Sequence, residues 1–152
     1  MAMGQRQDKP QELWIATSEI VTAPGHPFCH RLDPLLTQQG FDGFGEDRCQ
    51  EFYHAALGRP SIAPGGYFRM RRVGYFEGLD SERGIAWRCA DSLGLREFLG
   101  FGLNEKTPEH SSLSVIRRRI DLETHRAVFV WGLTVLKDHG LLKGKTIGVD
   151  AT

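Results

Sequence analysis

The chain has 152 residues, 40% of them apolar and 25% charged, a balance that excludes a disordered tail and suits one ordinary domain. Its 19 Lys and Arg cancel its 19 Asp and Glu, so overall charge selects neither for nor against nucleic acid and the distribution has to decide. Cys29, Cys49 and Cys89 are too few and too scattered for a disulfide framework and fit a reducing cytoplasm.

Taken in chain order, Met1 to Gly25 is polar and Gln-rich, without the apolar core of a signal peptide. It reads as an arm over residues 1–25 whose apolar patch, Leu13-Trp14-Ile15, docks on another surface. Ala23-Pro24-Gly25-His26-Pro27 is a turn signal. Phe28, Leu32, Leu35 and Leu36 then recur at helical spacing up to Gln39, with Pro34 as a breaking or kinking point. Phe41 to Tyr53 is a weaker helix, loosened by Gly43 and Gly45. After a loop over residues 57–65, Pro64 opens a helix that runs to about Gly78 and carries Tyr67, Met70, Val73 and Phe76.

Asp80-Ser81 caps the next helix, with Ile85, Trp87, Cys89 and Ala90. Leu93 to Leu99 is a short helix. Thr107 to Ser112 is a start signal, followed by a short basic helix from Leu113 to Ile120. Asp121 to His139 is the longest helix, with one apolar stripe at Leu122, Phe129, Leu133 and Leu136 and another at Val128, Trp131 and Val135. Two apolar faces predict a central, buried helix. Gly140 is its natural C-cap. Thr146 to Val149 alone reads as strand, and it delivers one carboxylate, Asp150. The longest apolar run, Ala127 to Leu136, is half of the ~20 residues a membrane span needs.

Charge is uneven. Acids exceed bases up to Gly58, whereas Arg59, Arg69, Arg71 and Arg72 stand in a stretch without acids. Lys106, Arg117, Arg118 and Arg119 face Glu109 alone in their segment. A capped helix ending in three arginines, after two short helices, has the layout of a helix-turn-helix-like unit. Ser111, Ser112 and Ser114 sit at its N-terminal end, where backbone N–H groups favour phosphate. The competing reading is a solvated helix face whose arginines pair with nearby acids. His26, Cys29, His30, Cys49 and His54 match no established zinc spacing. Trp87, Trp131 and the phenylalanines read as core. Gly43-Phe44-Gly45 completes no phosphate-binding fingerprint. Asp150 reads either as a metal ligand or as a carboxylate capping the exit from a strand.

Several longer motifs point further. They are Gly58-Arg59-Pro60-Ser61-Ile62, Tyr67-Phe68-Arg69-Met70, Gly74-Tyr75-Phe76-Glu77-Gly78, Asp80-Ser81-Glu82-Arg83-Gly84-Ile85-Ala86-Trp87-Arg88, Leu95-Arg96-Glu97-Phe98-Leu99-Gly100 and Pro108-Glu109-His110-Ser111-Ser112-Leu113-Ser114. In this order they strongly resemble the N-terminal, InsH-like domain of bacterial insertion-sequence transposases of the DDE type. His26-Pro27-Phe28 and the close from Gly140 to Thr152 fit the same family.

The resemblance implies a mostly α fold: a multi-helix bundle over residues 26–140 with a helix-turn-helix-like unit. One C-terminal β-strand, within 141–152, would be left over from a ribonuclease-H-like catalytic domain. It implies that Asp150 is the first of three metal-binding carboxylates, holding Mg²⁺ in the full-length parent enzyme. The other two lie downstream in the family, so this chain is expected to be truncated, inactive and without a tightly bound metal, because two-metal chemistry needs several carboxylates. The expected partners are double-stranded DNA at transposon ends and a second copy of the chain, without a membrane, in the bacterial cytoplasm. Ser111, Ser112, Ser114, Arg117, Arg118 and Arg119 are the expected DNA contacts, with Arg69, Arg71 and Arg72 behind them. The family pattern has apolar residues where Arg71 and Arg72 stand, and both are costly if buried without partners. The alternatives are an oligomerisation module or an inert remnant of a broken transposase gene.

Overall fold

The computed structural model describes residues 13–20, 27–54 and 61–141. Among these residues the regular structure is helical, with no strand. The expected strand at 146–149 and Asp150 lie outside the described residues. Helix α1 spans Pro27–Gln38, α2 Phe41–Cys49, α3 Pro64–Glu77, α4 Glu82–Asp91, α5 Leu93–Phe98, α6 His110–Arg119 and α7 Leu122–Asp138. Short 3-10 turns occupy Thr17–Glu19 and Gln50–Phe52. None of the helices found is long and apolar enough to cross a membrane.

The boundaries follow local chemistry. Ser81 accepts a hydrogen bond from the Gly84 N–H at 3.0 Å and so caps α4, as its position predicts. Asp121 does the same for α7 through Thr124 N–H at 2.8 Å. Gly140, at φ 67°, takes the left-handed turn that ends α7, and Leu141 N–H then reaches back to Leu136 O at 2.9 Å. Pro34 stands inside α1 without ending it. It and His30, the residue four earlier whose carbonyl loses its partner, are both on the exposed face, where water replaces the bond.

The centre of the bundle is α3 rather than α7. From Tyr67 to Met70 every residue of α3 is buried, as are Arg72, Val73 and Gly74. Its neighbours α2 and α4 approach closely because two glycines make room. A Cβ on Gly65 would lie 2.5 Å from Asp42 Oδ1, and one on Gly74 would lie 2.5 Å from Ile85 Cδ1. Helix α7 is more peripheral than its two apolar stripes predict. Val128, Val135 and Leu136 are buried, but Leu122 and Val130 are exposed. Trp131 anchors α7 on α2 by stacking on Phe44, with ring centroids 5.0 Å apart.

One further expectation fails. Trp87 is on the solvent side of α4, 70% exposed, because Ile85, Ala86 and Cys89 take the inner face. Leu13, Trp14 and Ile15 are exposed and find no cover in the core.

Candidate nucleic-acid interface

Helix α6 buries Leu113 and Ile116, with Ile120 just beyond its end, against the core. A helical period of 3.6 residues then turns Ser111, Ser114, Val115 and Arg118 outward, with Arg117 and Arg119 on the flanks. Exposure agrees: Ser111, Val115, Arg117, Arg118 and Arg119 are exposed, and Ser112 and Ser114 are half-buried. Arg117 donates from Nη1 to Glu82 Oε1 and ties α6 to α4. This contact holds the Glu82 carboxyl below its ordinary value, with a further contribution from the charge of Arg71. Arg118 donates from Nε to the Ser114 carbonyl at 3.3 Å. The Arg119 guanidinium lies 5.0 Å from the centroid of the Tyr53 ring.

Arg69 and Arg72 are not on this surface. Each is 6% exposed, and both guanidinium groups are enclosed by protein rather than set on the face of α6. Arg69 makes a bidentate contact with Asp42, at 2.9 Å from Nε and 3.0 Å from Nη2. Its Nη1 donates to Asp33 and, at 3.1 Å, to the Phe98 carbonyl at the end of α5. One guanidinium thereby joins α3 to α1, α2 and α5, and the pairing offsets the cost of burying it.

Among the described residues, Arg72 has no carboxylate partner. Its Nη2 donates to the Val128 carbonyl of α7 at 3.2 Å, and its charge rests 4.4 Å from the centroid of the Phe41 ring. Burial, reinforced by the nearby charge of Arg69, pushes its pKa down to about 10. Arg71, between them, is half-buried and lines a cleft of about 450 Å³ between α3 and α7. Two residues of that cleft, His125 and Arg126, do not stand out in the sequence. The long apolar stripes of α7 mask them, although Arg126 is one turn after Leu122 and therefore shares its face.

No three His, Cys, Asp or Glu side chains among the described residues converge as a metal site. That includes Cys29, His30, Cys49 and His54. Asp150, the expected metal ligand, lies outside the described residues.

Comparison with known proteins adds one finding. Neither a curated protein nor a solved structure matches the chain. The family described as transposase domain (DUF772) matches residues 17–119, from the turn before α1 to the last residue of α6. That match covers well over half of the 152 residues, and the chain belongs to this transposase-domain family.

Proposed function

We propose that this domain binds double-stranded DNA at transposon ends, as the N-terminal part of an insertion-sequence transposase of the InsH-like, DDE type. What carries the reading is the outer face of α6. It presents Ser111 and Arg118 to solvent, with Ser114 half-buried beside them and Arg117 and Arg119 on the flanks, on a domain of a transposase family. Helix α6 follows α4 and α5 and packs on α4, the order in which a helix-turn-helix-like unit offers its last helix to the major groove. Hydroxyls and guanidinium groups on such a face suit phosphate oxygens and base edges.

In the parent enzyme, Asp150 is assigned as the first of three carboxylates that hold Mg²⁺, the ion that would supply phosphoryl-transfer chemistry.

The test is duplex binding against salt. Removing one cation from a phosphate lowers the slope of log affinity against log salt by about 0.9. Arg117/Arg118/Arg119→Ala is therefore expected to flatten the slope by roughly 2.7. An unchanged slope sinks the assignment of α6. A second reading, an oligomerisation module, is favoured by Trp87, Tyr75 and Leu122, which are 70%, 62% and 83% exposed. Sedimentation of the chain without DNA separates the two.

A further inference from the structure

The cleft between α3 and α7 is lined by Arg71 and Arg72 from one side and by His125 and Arg126 from the other. Among the described residues, no acidic side chain lines it. Among the described residues, neither Arg71 nor Arg126 has an ion-pair partner. Arg72 is buried, and among the described residues it spends one N–H on a protein acceptor, the Val128 carbonyl. A buried guanidinium normally gathers a carboxylate, as Arg69 does with Asp33 and Asp42. Among the described residues no carboxylate pairs with Arg71, Arg72 or Arg126, and the cleft that these three line is open to an anion.

Other features narrow the choice of anion. The cleft measures about 450 Å³, which is far larger than an inorganic phosphate requires. The remaining walls are apolar, with Phe68, Leu122 and Phe129 among them. Leu122 is 83% exposed, an apolar lip without a partner. His125 is committed elsewhere, through Tyr67 at 2.8 Å and the Asp121 carbonyl at 2.7 Å, so its ring acts as wall rather than as a free donor. An anionic head with a flat, weakly polar body fits this combination of a cationic floor and aromatic sides. Glu82, which Arg117 bonds, also feels the charge of Arg71.

We propose that this cleft is a nucleotide site, in which Arg71 and Arg126 hold the phosphate over the buried charge of Arg72, and Phe129 and Leu122 cover the base or sugar. The choice of a nucleotide among organic phosphates rests on the DNA-binding reading above, whereas the anion site rests on the cleft alone.

The experiment uses the whole 152-residue chain and follows backbone amide shifts of Arg126 and Phe129 by NMR at constant ionic strength. Thymidine 5′-monophosphate should shift both amides and saturate. Inorganic phosphate should move Arg126 with lower affinity, and thymidine should move neither. Arg126→Gln, a substitution at an exposed position, should weaken the monophosphate by about tenfold, as expected on removing one charge-assisted hydrogen bond. A single-stranded oligonucleotide that competes with the monophosphate more strongly than a blunt duplex identifies the source as an unpaired nucleotide of DNA; the reverse order identifies the duplex backbone.

Equal responses to the monophosphate and to sodium chloride overturn the site, as does unaltered affinity in Arg126→Gln. The outcome is separable from that of α6. Arg117/Arg118/Arg119→Ala should leave monophosphate affinity within about twofold of the parent chain, since none of the three lines the cleft. Duplex binding by the parent chain without a saturable monophosphate response removes the cleft and keeps α6.

Discussion

Arg72 occupies the space that a side chain at position 132 would need. A Cβ on Gly132 would stand 1.7 Å from Arg72 Nη2 and 2.3 Å from its Cζ. The glycine sits in the middle of α7, where alanine would otherwise be preferred by about 1 kcal/mol, so its presence reflects the crossing and not the helix.

Gly132→Ala should therefore destabilise the domain by about 1–3 kcal/mol. The guanidinium has to leave Val128 O and the Phe41 ring, and the gain in helix propensity offsets only part of that loss. In a double-mutant cycle, Arg72→Leu should remove most of the penalty of Gly132→Ala. Additive effects in chemical denaturation would show that the two residues do not share the space.

The Arg69 clamp should be costlier to break. Asp42→Asn keeps the shape but removes the charge from the bidentate contact, leaving a guanidinium that is 6% exposed with Asp33 as its one anion. A loss of about 2–4 kcal/mol is expected. Arg69→Met, which removes the buried cation along with its pairing, should cost less than Asp42→Asn. The opposite order in urea midpoints contradicts this account.

The thiols should differ in reactivity. Burial pushes Cys49 up to about 11 and Cys89 up to about 12, and both side chains are fully enclosed. Cys29 is half-buried, and its thiol is also raised, chiefly by burial. Because the thiolate is the reactive form, iodoacetamide at pH 8 should modify Cys29 first. Cys49 and Cys89 should react only after unfolding. Mass mapping of early products checks the order.

Glu82 gives a pH dependence with a defined sign. Its folded carboxyl is held below the ordinary 4.5, first by the hydrogen bond from Arg117. The contribution is therefore present in full above pH 4.5 and lost as pH falls through the lowered value. The stability of Glu82→Gln should trail that of the parent at neutral pH and converge with it in acid. If Arg117 also meets DNA, the same substitution frees its guanidinium and should raise duplex affinity at low salt. A fall in affinity would assign Arg117 to structure alone.

The helices were legible in the sequence because capping and spacing are local. Ser81, Pro64 and Gly140 mark boundaries that hold in three dimensions. The order of burial was not legible. Helix α3 carries Arg69, Arg71 and Arg72, and a hydropathy pattern treats each as surface. Only tertiary pairing with Asp33, Asp42, Phe98 and Val128 makes two of them interior. The same blindness inverted α7, whose apolar length suggested the centre although Leu122 and Val130 face solvent. At the candidate interface, the basic end of α6 was visible from composition. The cleft was not, because its cations come from two helices far apart in sequence.

The four-way contact of Arg69 bears on how the domain comes together. Asp33 and Asp42 precede Arg69 in the chain, whereas Phe98 follows it. A partly assembled bundle that buries α3 before α1 and α2 have docked encloses an uncompensated cation, a state disfavoured by several kcal/mol. Helices α1, α2, α3 and α5 are thus bound to a common transition, and any piece of the domain cut between Asp42 and Arg69 should fail to hold native structure on either side of the cut.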